Sequence, residues 1–116
     1  MKRVMSVANI ANPYLKRILS YVIGKNPLRV LSGTPGSLQH LTRGLDQTQI
    51  RKSPERGKWS IGQIITHLCD AELVLGFRFR MVISQSGSSL QAMDQNKWAI
   101  GLKYNRADWK KKLKLF

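Results

Sequence analysis

His67 is the residue whose type and position best suit chemistry at a metal ion. One imidazole nitrogen can bind Zn, Ni or Fe, while the other ring nitrogen bonds a neighbouring acceptor. His40 is the only other histidine, and neither an HxxxH nor an HExxH spacing occurs in the sequence. Because a catalytic metal commonly needs three protein ligands, spacing alone favours a structural role for a single histidine at a core edge.

Three residues close to His67 could also take part in chemistry. If their segment is helical, Glu72 falls inside the apolar sector, where a carboxylate must be paired, protonated or bound to a cation. Pairing with a buried arginine is preferred to a metal or catalytic role. Asp70 points the opposite way, so we expect it at the surface unless another element covers it. Cys69 has no CxxC partner, which favours a small packed side chain over a nucleophile.

The element that must position these residues is a long helix beginning after Ser60. Ser60 and Gln63 have the spacing of a capping box, and no proline follows as far as Ser84. His67 lies about 80° from the centre of the apolar stripe, at the edge that would face a neighbouring helix. Trp59 is expected to pack across the first turn. The stripe itself is formed by Ile61, Ile64, Ile65, Leu68, Ala71, Leu75, Phe79 and Val82.

The remaining helix-start and helix-end residues predict further helices, and no pair of strands is predicted. Asn12-Pro13 and Asn26-Pro27 are helix starts, Thr34-Pro35 predicts a kink or a restart, and Gly44 suits a helix end. Shorter helical segments are predicted at residues 46–50, 94–98 and 108–116, with Trp98 and Trp109 filling gaps between helices. The fold class is therefore all-α.

Residues 13–24 predict a short amphipathic helix that admits two interpretations. Leu15, Ile18, Leu19 and Val22 fall on one face, while Lys16 and Arg17 lie on the other. A helix packed across the end of the bundle is preferred, and a helix lying on a membrane surface is the alternative. No apolar run approaches the roughly 20 residues of a membrane span.

The charge of the chain is strongly positive, with 20 Lys and Arg against 6 Asp and Glu and a formal net charge of +14. Such a balance favours contact with nucleic acid, anionic lipid or acidic partners, and Lys110–Lys112 resembles an anion-binding patch as well as a solvated helix face. The first 45 residues contain no acid, which a mitochondrial presequence would also show. The single cysteine fits a reducing compartment, so a cytoplasmic location is expected.

Several of these motifs, taken in order, resemble the DinB/YfiT-like proteins. The resemblance begins with Gly57-Lys58-Trp59-Ser60-Ile61 and continues with His67-Leu68-Cys69-Asp70-Ala71-Glu72. Asn26-Pro27-Leu28, Thr34-Pro35 and Phe77-Arg78-Phe79-Arg80 are similar to parts of that family's first two helices. Asp94-Gln95-Asn96-Lys97-Trp98 is similar to the connection that follows, and residues 104–116 to the opening of the third helix.

The resemblance implies an up-down four-helix bundle, of which this chain would hold the first two main helices and the start of the third. Residues 1–12, which precede the resemblance, are expected to form a basic lead-in, and the resemblance implies residues 13–116 as a partial bundle domain. It also implies a divalent metal held by three histidines, with His67 as the ligand on the second helix, and hydrolase or thiol-transferase chemistry. The other two histidines would lie in an HxxxH-like segment of a fourth helix, which the sequence does not contain.

We therefore expect a C-terminally truncated domain that holds no stoichiometric metal alone and is inactive by itself. An incomplete bundle is expected to self-associate or to be completed by a partner's helices, since its apolar faces stay open. The alternative is a non-enzymatic basic helical module that binds nucleic acid, although the sequence shows no recognition-helix signature.

Overall fold

The structure, a computed structural model, describes residues 10–116 and is helical throughout its regular elements, without a strand in that range. The chain divides into two compact units, Met1–Ser37 and Leu38–Phe116, with the boundary inside the second helix. The elements are α1 Pro13–Ser20, α2 Pro27–Thr42, α3 Gln47–Arg51, α4 Ile61–Ser84, α5 Gln95–Gly101, a 3₁₀ turn Tyr104–Arg106 and α6 Trp109–Leu115. The all-α prediction is confirmed. Most of the predicted basic lead-in lies outside the described residues.

The described part of the first unit has no core of its own. Asn12 caps α1 by accepting the backbone N–H groups of Tyr14 and Leu15, at 2.9 and 3.2 Å. Asn26 caps α2 in the same way, so both predicted helix starts are confirmed. None of residues 10–37 is buried. Local capping, and not side-chain packing, therefore defines the helices in this unit.

Helix α2 continues through Pro35, so of the predicted kink or restart the restart does not occur. A proline inside a helix removes one backbone donor. Next to it, the Thr34 hydroxyl donates to the carbonyl oxygen of Val30 at 2.7 Å. This bond adds a side-chain donor to the turn that precedes the proline. The helix ends just before Gly44, whose φ of +82° lies in the left-handed region that glycine adopts readily.

The second unit is built around α4. Its core consists of Ile50 from α3, Ile65 from α4, and Trp109 and Leu113 from α6, all at most 8% exposed. Leu38 and Leu45 pack against this cluster. Helix α4 begins as predicted, since the Ser60 hydroxyl accepts the N–H of Gln63 while the Gln63 side chain accepts the N–H of Ser60.

Gly62 lets three helices approach one another closely. A Cβ atom at this position would lie 3.2 Å from Cγ2 of Ile50 and 3.8 Å from Cβ of Trp109. The first distance is too short for two carbon atoms in ordinary contact. Because Gly62 has no side chain, α3 and α6 both pack against the same turn of α4.

The buried side of α4 differs from the one that the apolar stripe predicts. Residues Gly62, Ile65, Thr66, Cys69 and Asp70 are buried, whereas several stripe residues stay exposed, namely Ile61, Ile64, Phe79 and Val82 at 38–56%. The packed side carries small residues, which allow close approach, and its partners come from α3 and from the segments after α4. Within residues 10–116, half of the eight stripe residues are exposed and only Ile65 is buried, so the predicted orientation of α4 is wrong for the exposed ones.

Candidate functional site

His67 lies on α4, half-buried, two turns after the helix start. The Trp59 ring packs against it edge-on, with ring centroids 5.2 Å apart and an interplanar angle of 62°. The Nδ1 atom of His67 is buried and has no hydrogen-bond partner among residues 10–116. A buried polar atom without a partner costs free energy, so this nitrogen is available to a ligand that would satisfy it.

Asp70, one turn further along α4, is buried at 5% exposure and not at the surface. The Tyr104 hydroxyl donates to its Oδ2 atom at 2.6 Å, and Nζ of Lys112 lies 3.8 Å from its Oδ1 atom. Asp70 was expected at the surface unless another element covered it, and the 3₁₀ turn and α6 do cover this side of the helix. The carboxylate is compensated by one donor and one cation, as a buried charge requires.

Burial raises the pKa of the Tyr104 hydroxyl well above its ordinary value, and the hydrogen bond to Asp70 raises it further. Tyr104 is 2% exposed, and its ring lies 6.2 Å from that of Trp59. Trp59 thus packs against His67, in the second turn of α4, and against Tyr104 in the 3₁₀ turn. It was predicted to pack across the first turn of α4 only. These contacts fix the 3₁₀ turn beside the helix that carries the histidine.

The Cys69 thiol is buried beside Asp70 and is not part of a disulfide. Burial raises its pKa, while the nearby Lys112 ammonium opposes that shift. A thiol with a raised pKa is a poor nucleophile at neutral pH. The structure therefore agrees with the prediction that Cys69 is a packed side chain.

The other predicted candidates lie apart from this arrangement. Glu72 is exposed, so the prediction that it is buried among apolar residues is wrong for the described chain. His40 is also exposed, in the last turn of α2. Among residues 10–116, no group of three or more His, Cys, Asp or Glu side chains is arranged to hold a metal ion. His67 supplies one imidazole beside Trp59, but the described residues do not fit a complete metal centre.

A cavity of about 570 Å³ lies further along α4, between that helix and the segment leading to α5. Its wall is largely apolar and includes Val74 and Trp98. Arg78 also lines it, and its Nη2 atom donates to the carbonyl oxygen of Gln91 at 2.6 Å. Since Val74 follows His67 by seven residues, the cavity opens on the same side of the helix, about two turns away.

Sequence reasoning missed Tyr104 and Lys112 as members of this arrangement. Both lie more than 30 residues after Asp70, and the Tyr104 bond spans a separation of 34 residues. Helical periodicity reports only neighbours within a few turns. The one available signal was that Asp70 shares a side of α4 with Gly62 and Thr66. Small residues on that side allow another element to pack against it.

The family comparison covers most of the second unit. The chain matches the sequence model of the DinB superfamily over residues 31–113. A protein from Oceanobacillus iheyensis, named "Putative metal-dependent hydrolase", is 29% identical over 63 residues, which is 54% of this chain and 36% of that protein. Another of that name from Geobacillus kaustophilus is 24% identical over 72 residues, 62% of this chain and 40% of the relative.

A third relative with that name, from Bacillus mycoides strain KBAB4, is 23% identical over 86 residues, 74% of this chain and 49% of the relative. The chain thus spans less than half the length of the curated relatives described here. No solved structure gives a significant match. Because the family model covers residues 31–113, the chain belongs to the DinB superfamily.

Proposed function

We propose that the second unit is part of a metal-dependent hydrolase in which His67 supplies one ligand to a divalent ion such as Zn, Ni or Fe. The observation that carries this proposal is the buried Nδ1 atom of His67, to which no described residue offers a hydrogen bond. The names of the distant relatives favour hydrolysis over thiol transfer. The remaining ligands come from residues other than those described, in an up-down four-helix bundle of which α2 and α4 are the first two main helices.

The described residues have positioning roles in this proposal. Trp59 holds the His67 ring from its edge, which limits the rotation of the imidazole. The bond between Tyr104 and Asp70 holds the third segment of the bundle against α4. The apolar cavity beyond His67 suits the organic part of a substrate, with Arg78 at its wall.

Zinc titration of the chain, followed by the imidazole nitrogen resonances, tests the ligand role of His67. We expect the His67 signals to shift with half-saturation at about millimolar zinc, since a single histidine binds weakly. Metal analysis after gel filtration should find far less than one ion per chain. His40→Gln should leave the His67 response unchanged, and the exposed His40 imidazole of the unaltered chain is the matched control, which should respond only at higher zinc concentration. His67 signals that shift no earlier than those of His40 would contradict the proposal.

We also propose that the exposed apolar stripe of α4 is covered by a second copy of the chain. Phe79 and Val82 are 56% and 54% exposed, and contiguous apolar surface of this kind marks an interaction site. Light scattering at rising concentration should therefore give a mass above 13.2 kDa. Replacing both residues with serine should shift the mass toward the monomer, whereas Leu102→Ser, exposed at 58%, should not. A monodisperse monomer that melts cooperatively would contradict this prediction.

A further inference from the structure

Helix α1 has an apolar side that the described structure leaves open. Leu15 and Ile18 are 48% and 42% exposed, and no residue of the helix is buried. The turn after it continues the helical pattern, because the N–H of Ile23 donates to the carbonyl oxygen of Leu19 at 3.0 Å. Apolar side chains therefore occupy one broad side of residues 14–23. The family match begins at residue 31, so this surface lies outside the matched residues.

The charges next to this side have a single sign. Lys16, Arg17 and Ser20 lie on the opposite side of α1, and no acidic residue precedes Asp46. Tyr14 and Tyr21, 61% and 62% exposed, border the apolar side, and the Arg17 guanidinium lies 5.8 Å from the Tyr14 ring centre. Tyrosine rings and the long stems of Lys and Arg suit a boundary between apolar and aqueous surroundings.

One kind of partner satisfies both sides of the helix. A second copy packed through its own α1 would bring the same positive charge, because the first 45 residues contain no acid. A nucleic acid would pair with the cations but leave the apolar side in water. An anionic bilayer accepts apolar side chains at the acyl boundary, while its phosphates attract the cations.

We propose that α1 and the following turn lie on the surface of an anionic membrane and bind it reversibly. Leu15, Ile18 and Val22 enter the boundary between headgroups and acyl chains, and Lys16 and Arg17 reach the phosphates. This inference goes beyond the proposed hydrolase and does not depend on it. In the described part of the chain no helix is long and apolar enough to cross a membrane, so the association is with the surface.

Co-sedimentation of the full chain with sucrose-loaded vesicles tests the apolar contribution. Binding should be at least about tenfold stronger to phosphatidylcholine vesicles containing one-quarter phosphatidylglycerol than to phosphatidylcholine alone. Leu15→Ser combined with Ile18→Ser should lower binding by about tenfold. The matched control is Ile83→Ser combined with Ile100→Ser, which removes apolar side chains that are 84% and 78% exposed outside α1. That control should bind like the unaltered chain.

A charge pair tests the electrostatic contribution. Lys16→Gln combined with Arg17→Gln should weaken binding to the anionic vesicles by about tenfold or more. Lys110→Gln combined with Lys111→Gln removes the same charge from α6 and should have much less effect. Equal binding to both vesicle types, or unchanged binding after the Leu15 and Ile18 substitutions, would overturn the proposal. Binding to duplex DNA but not to vesicles would overturn it as well.

Discussion

Trp109→Ala is expected to lower the free energy of unfolding by about 3–5 kcal/mol, the usual cost of removing a buried tryptophan side chain. Trp109 is 6% exposed and belongs to a core cluster with Ile50, Ile65 and Leu113. Because these side chains come from three helices, the loss removes contacts of α6 with both α3 and α4. For a small domain with marginal stability, this is enough to unfold the second unit at moderate temperature. Urea denaturation followed by circular dichroism measures the change.

Trp98→Ala provides the matched control for this substitution. Trp98 is 36% exposed, so its removal deletes the same number of atoms from a much less buried position. We expect a loss below about 1.5 kcal/mol, since the cavity left behind remains open to water. Equal losses at the two positions would show that α6 is not packed on α4 as described.

Tyr104→Phe is expected to lower the free energy of unfolding by about 1–3 kcal/mol at neutral pH, because it leaves a buried Asp70 oxygen without its donor. It should also change the alkaline stability of the chain. The folded pKa of Tyr104 is raised above its ordinary value of 10.0 by burial and by the Asp70 bond. Its contribution is therefore complete below about pH 10 and is lost above it, at roughly 1.4 kcal/mol per pH unit.

The pH measurement needs a background without the cysteine. The pKa of Cys69 is also raised by burial above its ordinary value of 9.0, so its ionisation on unfolding adds to the alkaline loss. Cys69→Ala should be compared with Cys69→Ala combined with Tyr104→Phe, and only the first should lose stability steeply above pH 10. Tyr14→Phe, at a residue 61% exposed, serves as the control. The same alkaline slope with and without Tyr104 would refute the assignment.

Local signals in the sequence predicted the helix boundaries well. The capping box of Ser60 and Gln63 needs only two residues at the right spacing, and the structure contains both hydrogen bonds. Asp46, Asp94 and Asp108 likewise accept the backbone N–H three residues ahead, where short helices were predicted. Such contacts form within one turn, so a single segment contains all the information that they require.

The packing of α4 could not be predicted in the same way. Apolar periodicity ranks the sides of a helix by hydrophobicity. Gly62 and Thr66 lie on the packed side for a different reason, because small residues let neighbouring helices approach closely. Asp70 is on the packed side because a tyrosine 34 residues later bonds to it. Glu72 is exposed for the converse reason, since its side of α4 has no cover within the described residues. Long-range partners decided each of these outcomes.

The bond between Tyr104 and Asp70 also has a consequence for the order of folding. It closes a loop of more than 30 residues. Closing a long loop lowers the entropy of the chain before the contacts that compensate for this loss have formed. The bonds within α4 link residues four apart and carry little such cost. We therefore expect α4 to form early and the 3₁₀ turn with α6 to dock on it late. Within the second unit, we then expect the docked segment to detach first in the native state, which exposes the Asp70 carboxylate to water while α4 stays helical.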